Sequence, residues 1–190
     1  MNRSLLIFLL AEMLFSIRVK AEPIPFRNVH YRAMVDVLDK HLSGILLIRL
    51  QEDSSLRTVF LNETGTTFFD IAFYPDHYQY LHCIPGLDRK AVRRTLAKDL
   101  GMLICRSIYS SFSYNASGDL VGDLKRRGRV IYYLSKTDFH CDSILNLGRR
   151  KKVVTILPYF SDRKSEPDSV SIQHHTVHFS LQFKKMYVTE

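Results

Sequence analysis

The chain has 190 residues, of which 46% are hydrophobic, 24% charged and 12% aromatic, with eight glycines and six prolines. That composition excludes a collagen, a disulfide knot, a multi-span membrane protein and a disordered tail, and it suffices to bury a core without covalent staples. Lys and Arg outnumber Asp and Glu by 27 to 19, a net charge of +8 that points to anionic partners and decides nothing about fold.

The chain opens on a short basic stretch, Met1-Asn2-Arg3. Ser4 to Ile17 is then apolar apart from Glu12, and Val19-Lys20-Ala21 places small or β-branched residues at the −3 and −1 positions of a cleavage site. This is the pattern of a secretory signal peptide over residues 1–21, followed by one β-rich domain over 22–190. The apolar stretch falls short of the about 20 residues that a membrane-spanning helix needs. Three cations and one anion leave with residues 1–21, so the expected mature chain drops from +8 to +6. An exported, basic protein is expected.

Past Pro25 the signal is a series of short apolar runs at spacings of about ten residues, as in an antiparallel β fold. Residues 31–37, 45–50, 58–61, 67–74 and 78–84 are the first five expected strands. Gly44 and Gly65 fall where a bulge or tight turn would want a residue without Cβ. Between Asp88 and Cys105 the period changes. Val92, Leu96, Leu100 and Leu103 recur every three to four residues while Arg93, Arg94, Lys98 and Asp99 take the other positions, which predicts an amphipathic helix with Asp88 as its N-cap. Gly101 in its last turn suggests close packing or a frayed end.

Strand character returns at 107–114, 129–135, 139–147 and 152–160, with Lys125-Arg126-Arg127-Gly128 as a hairpin turn. In the last stretch Val177, Phe179, Leu181 and Phe183 alternate with His178, Ser180, Gln182 and Lys184, so one face is buried. Other strands are apolar on both faces, among them Ile45-Leu46-Leu47-Ile48 and Val153-Val154-Thr155-Ile156-Leu157. One helix is too little to cover the second face of nine or ten strands, which points to an apolar concavity.

Little in the sequence asks for catalysis. There is no G-x-S-x-G elbow, no phosphate-cradling glycine loop, and the carboxylates of Asp36 and Asp39 or of Asp119 and Asp123 sit near turns. His174-His175-x-x-His178 is the densest cluster of metal-ligand types; on a strand His174 and His178 would share a face, but the pattern reads more simply as surface histidines, so no metal and no cofactor are expected. Cys83, Cys105 and Cys141 form an odd set without CxxC spacing and read as small buried hydrophobes. Two Asn-x-Ser/Thr triplets begin at Asn62 and Asn115. Basic runs that include Arg126, Arg127, Arg150 and Lys151 suit lipid headgroups or an acidic protein; nucleic acid is not expected of an exported chain without a reader motif.

The runs 40–48, 58–73, 87–103 and 167–174 leading into the final strand resemble exported bacterial proteins similar to the lipoprotein-carrier (LolA/LolB) superfamily. The resemblance covers roughly residues 30–104 and 150–187. It implies a mainly antiparallel β fold with one or two helices, a curved, unclosed half-barrel whose apolar concave face holds acyl chains beneath a helical lid. On that basis Val92, Leu96 and Leu100 would face the cavity from the lid, and Leu46, Ile48, Phe69, Ile71 and Phe73 would line it from the sheet. The resemblance implies a periplasmic protein, and the expected function is non-catalytic binding of a lipid or an acylated protein at the cell envelope. The alternative is a closed β-sandwich that docks an acidic partner through its basic surface.

Overall fold

A computed structural model describes Ile24 and residues 26–37, 40–104, 109–124, 128–135, 141–148, 151–162 and 166–187, the side chains of 109–112 and 124 excepted. The expected signal peptide, Cys105, Arg126, Arg127 and Arg150 lie outside the described residues.

Twelve strands and one helix are described: β1 (Asn28–Val37), β2 (Lys40–Leu50), β3 (Leu56–Leu61), β4 (Thr67–Phe73), β5 (Tyr78–Cys83), α1 (Lys90–Leu103), β6 (Tyr109–Tyr114), β7 (Leu120–Leu124), β8 (Arg129–Leu134), β9 (Cys141–Leu147), β10 (Lys152–Tyr159), β11 (Ser169–His174) and β12 (Phe179–Lys185). All strands join one antiparallel sheet in the order β5-β4-β3-β2-β1-β12-β11-β10-β9-β8-β7-β6. The first five strands and the last seven are two meanders, joined where β1 pairs with β12, Tyr31 opposite Lys185 and Val37 opposite Phe179. The sheet is open, with β5 and β6 as its edges, so the sandwich alternative gives way to a single half-barrel sheet.

Side chains alternate across the sheet as the strand period requires. Val29, Tyr31, Ala33, Val35 and Val37 of β1 point into the core, as do Leu46 and Ile48 of β2, Phe60 of β3, and Val130 and Tyr132 of β8. The opposite face is the more apolar surprise. Ile45, Leu47, Val59 and Leu61 sit there half-buried, beside an Arg57 guanidinium that grips Asp70 through three hydrogen bonds of 2.5–3.2 Å. The second apolar face read from the sequence therefore lies outside the half-barrel, not under the helix.

Two hairpins share one turn chemistry. In each, the Asn side-chain oxygen accepts backbone N–H groups from the turn: Thr64 and Thr66 for Asn62, Ser117 and Asp119 for Asn115. Gly65 and Gly118 then take φ of +88° and +87°, a region that costs a residue with Cβ about 1–2 kcal/mol. The Asn-x-Ser/Thr triplets are thus turn chemistry. Gly44 has a different role from the expected bulge or turn. It is buried inside β2, where a Cβ would overlap the carbonyl oxygen of Leu61.

Three other expectations change. β7 and β11 are strands of their own where the sequence pattern marks none, since Leu-Val-Gly-Asp-Leu carries two turn residues and β11 resembles the approach to the last strand. β12 begins at Phe179, leaving Val177 57% exposed in a bend. Arg89, not Asp88, is the N-cap of α1, with extended backbone and no side-chain cap. Asp88 instead accepts a hydrogen bond from Arg93 at 2.8 Å.

Candidate functional site

The chain leaves the sheet at one edge, β5, and re-enters at the other, β6, with α1 between them. Fourteen residues give a helix about 21 Å long. It lies over the inner face of the half-barrel and turns Val92, Leu96, Leu100 and Leu103 onto it. Each such side chain contributes about 1.5–3 kcal/mol relative to exposure. Gly101 is buried in the last turn, in keeping with close packing there.

Three polar contacts fasten the helix to strands far apart in the sheet. On β5, the Tyr80 hydroxyl donates to the carbonyl of Arg93 at 2.7 Å, and the Arg93 guanidinium lies 4.4 Å from the centre of the same ring. On β8, the Tyr132 hydroxyl donates at 2.6 Å to the carbonyl of Met102 in the last turn of the helix. On β11, His174 Nε2 meets Asp99 Oδ2 at 2.7 Å, with side chains only 6% and 1% exposed. The ring of Phe179 stands edge-on to His174, 4.9 Å away.

The His174–Asp99 pair departs from the sequence reading at both residues. Asp99 belongs to the buried stripe, three residues after Leu96, and not to the outer positions assigned to it. Burial pushes its carboxyl pKa up, against the opposing pull of His174 and Lys98. His174 ends β11 and faces inward, whereas His178 lies in the following bend and is exposed, so the two do not share a strand face. The available signal was the charge at a stripe position; a helical wheel marks Asp99 as needing a buried partner.

Every expected lining residue is in the core. Leu46 is 1% exposed, Val92 7%, and Ile48, Phe69, Ile71, Phe73, Leu96 and Leu100 fully buried. Among them lie three buried side-chain atoms with no hydrogen-bond partner, Thr58 Oγ1, Asp99 Oδ1 and Asn146 Nδ2. Thr58 and Asn146 alternate with outward residues on β3 and β9, and so belong to the inner face. Native cores pair nearly all such groups.

A cleft of about 530 Å3 opens where the β1–β2 and β11–β12 hairpins end, lined by Asp36, Lys40, His41, His174, His178 and Phe179 among others. Asp36 accepts from His41 at 2.6 Å and from Ser180 at 3.0 Å, and these hydrogen bonds hold its carboxyl below the usual range. His174 belongs to both the cleft and the helix contact. Of the expected basic contacts, Lys151 is described and exposed.

Comparison with solved structures follows this architecture. A DUF1329 family protein from Desulfovibrio piger superposes with a TM-score of 0.51 at 8% identity, over 94% of this chain and 89% of that one. The chain shares its fold with that protein. At such identity the likeness is one of fold. A domain assigned to outer membrane lipoprotein sorting from Vibrio parahaemolyticus superposes with a TM-score of 0.44 at 8% identity, over 85% and 84% of the two chains. No protein-family model matches the sequence, and no curated protein matches it.

Proposed function

We propose that the protein is a non-catalytic carrier that holds an acyl chain of a lipid or an acylated protein between the inner face of its half-barrel and α1, acting outside the cytoplasm at the cell envelope of a bacterium. The observation that carries this is the placement of α1 as the cover of the apolar inner face of an unclosed sheet, joined to the chain only at its ends and fastened by a few polar contacts.

The magnitudes are compatible with exchange. Lifting Val92, Leu96, Leu100 and Leu103 exposes side chains worth about 6–12 kcal/mol together. An acyl chain of about fourteen carbons gains roughly 0.8 kcal/mol per buried methylene, about 11 kcal/mol in all. A lipid tail therefore replaces what the helix gives up, where a small polar ligand does not. The unpartnered Thr58, Asp99 and Asn146 atoms offer hydrogen-bonding groups to a carbonyl, hydroxyl or amide near the chain.

Organic extraction of the purified protein followed by mass spectrometry tests the proposal, together with titration of a fluorescent fatty acid. Saturable binding that unlabelled lipid displaces is the expected result. An extract without lipid and a probe that does not bind would overturn it.

A further inference from the structure

Sheet topology sorts the hairpin connections onto two rims, and the rims differ in charge. One rim carries the β1–β2, β3–β4, β7–β8, β9–β10 and β11–β12 connections together with the start of α1. Its exposed cations among the described residues are Lys40, Arg89, Lys90, Arg129, Lys151 and Lys152. Lys40 reaches the turn that leads into α1, its ammonium 3.0 Å from where a Cβ on Gly86 would stand. Of the acids described there, Asp88 is bound by Arg93, Asp123 lies 3.6 Å from Arg129 and Asp36 is paired with His41, while Glu63 stands in the β3–β4 turn. The connections of the opposite rim bear Glu52, Asp53, Asp76, Asp119, Asp162 and Glu166, with Arg27, Arg49 and Lys184 exposed at the strand ends beside them, so cations and acids mix there where the first rim is mainly cationic.

This segregation runs against stability. Cations at the start of a helix oppose its macrodipole, and α1 has no acid in its first turn and no base in its last. The cations are also dispersed. From β8 to β10 is two strand spacings, about 10 Å, and from β10 to β2 is four, about 19 Å, too far apart for one small anion but suited to an extended anionic surface. Among the described residues the exposed tyrosines, Tyr114, Tyr133, Tyr159 and Tyr187, lie on the opposite rim. Protein interfaces concentrate their energy in aromatic anchors, so a rim of aliphatic cations matches lipid phosphates better than a protein partner.

We infer that this rim is a membrane-docking surface for an anionic phospholipid bilayer. Docked so, the start of α1 and the cleft at His174 face the headgroups, which goes beyond acyl-chain binding and does not depend on it.

Sedimentation of the purified protein with phosphatidylcholine vesicles, with and without phosphatidylglycerol, tests the assignment. Binding is expected only with phosphatidylglycerol and is expected to weaken with salt. Lys151→Gln with Lys152→Gln should weaken it roughly fivefold per cation, about 30-fold for the pair. Arg27→Gln with Lys184→Gln removes the same charge from the opposite rim and should change binding less than about twofold. Equal losses in the two pairs, or equal binding to both vesicle types, overturns the rim assignment. Retention on immobilised polyglutamate that the first pair abolishes, without vesicle binding, overturns it in favour of an acidic protein partner. Fatty-acid displacement, measured on the same variants, reports the carrier proposal separately.

Discussion

Replacing His174 with Leu should destabilise the protein in a pH-dependent way that isolates Asp99. In the native chain Asp99 is fully buried, one carboxyl oxygen is without a partner and the other meets His174 at 2.7 Å. Without His174 an ionised Asp99 has no compensation, and breaking such a buried pair costs about 3–5 kcal/mol. Protonation sets a ceiling on that charge penalty. With an unfolded carboxyl pKa of about 3.9, protonating the group costs about 4 kcal/mol at pH 7 but only about 1.5 kcal/mol at pH 5.

The folded His174→Leu protein therefore takes up a proton that its unfolded chain does not hold. Its stability falls as pH rises above about 3.9, by at most about 1.4 kcal/mol per unit, until the raised folded pKa is passed. The reference is the double variant Asp99→Leu with His174→Leu, in which no charge is buried. Urea denaturation should find the single variant less stable than the double one by about 4 kcal/mol near pH 7 and by about 1.5 kcal/mol near pH 5. Equal stabilities, or a gap that widens on acidification, would refute the reasoning.

Three further substitutions probe the frame around the helix. Gly44→Ala should cost about 2–3 kcal/mol, because the new methyl meets the backbone of Leu61 and Asn62; an unchanged thermal melt would contradict this. Tyr132→Phe removes the donor to the Met102 carbonyl and should cost about 0.5–1.5 kcal/mol, with faster amide exchange confined to the end of α1. Asn115→Ala strips the β6–β7 turn of the acceptor for Ser117 and Asp119 and should lower stability by about 1 kcal/mol, read by the same melt, while fatty-acid binding stays unchanged.

Where a local period is strong, the sequence predicts the element. The Val92, Leu96 and Leu100 spacing marks α1, and the alternation through Phe179, Leu181 and Phe183 marks β12 and its buried face. Where pairing partners lie far apart in the chain, local pattern is silent. Nothing near Tyr31 or Lys185 announces that they stand opposite each other, yet that pairing turns two meanders into one sheet. The same limit hid the candidate site. Asp99 and His174 are separated by 75 positions; the stripe position of Asp99 calls for a buried partner, but nothing local names His174 as that partner.

The consequence of that topology is that α1 is separable from the sheet. Every strand is held by ladders to its neighbours, and the β1–β12 pairing joins both halves without the helix. Lifting α1 breaks no strand pairing. What opposes it is side-chain burial and the contacts to Tyr80, Tyr132 and His174, of which the last is an ionisable pair and borders the cleft. A Leu at Asp99 would hold the helix down with no desolvation penalty. A carboxylate there leaves a fastening that stays closed only while His174 matches it. The proposed carrier function asks this of its cover, which would open for a lipid tail and close behind it.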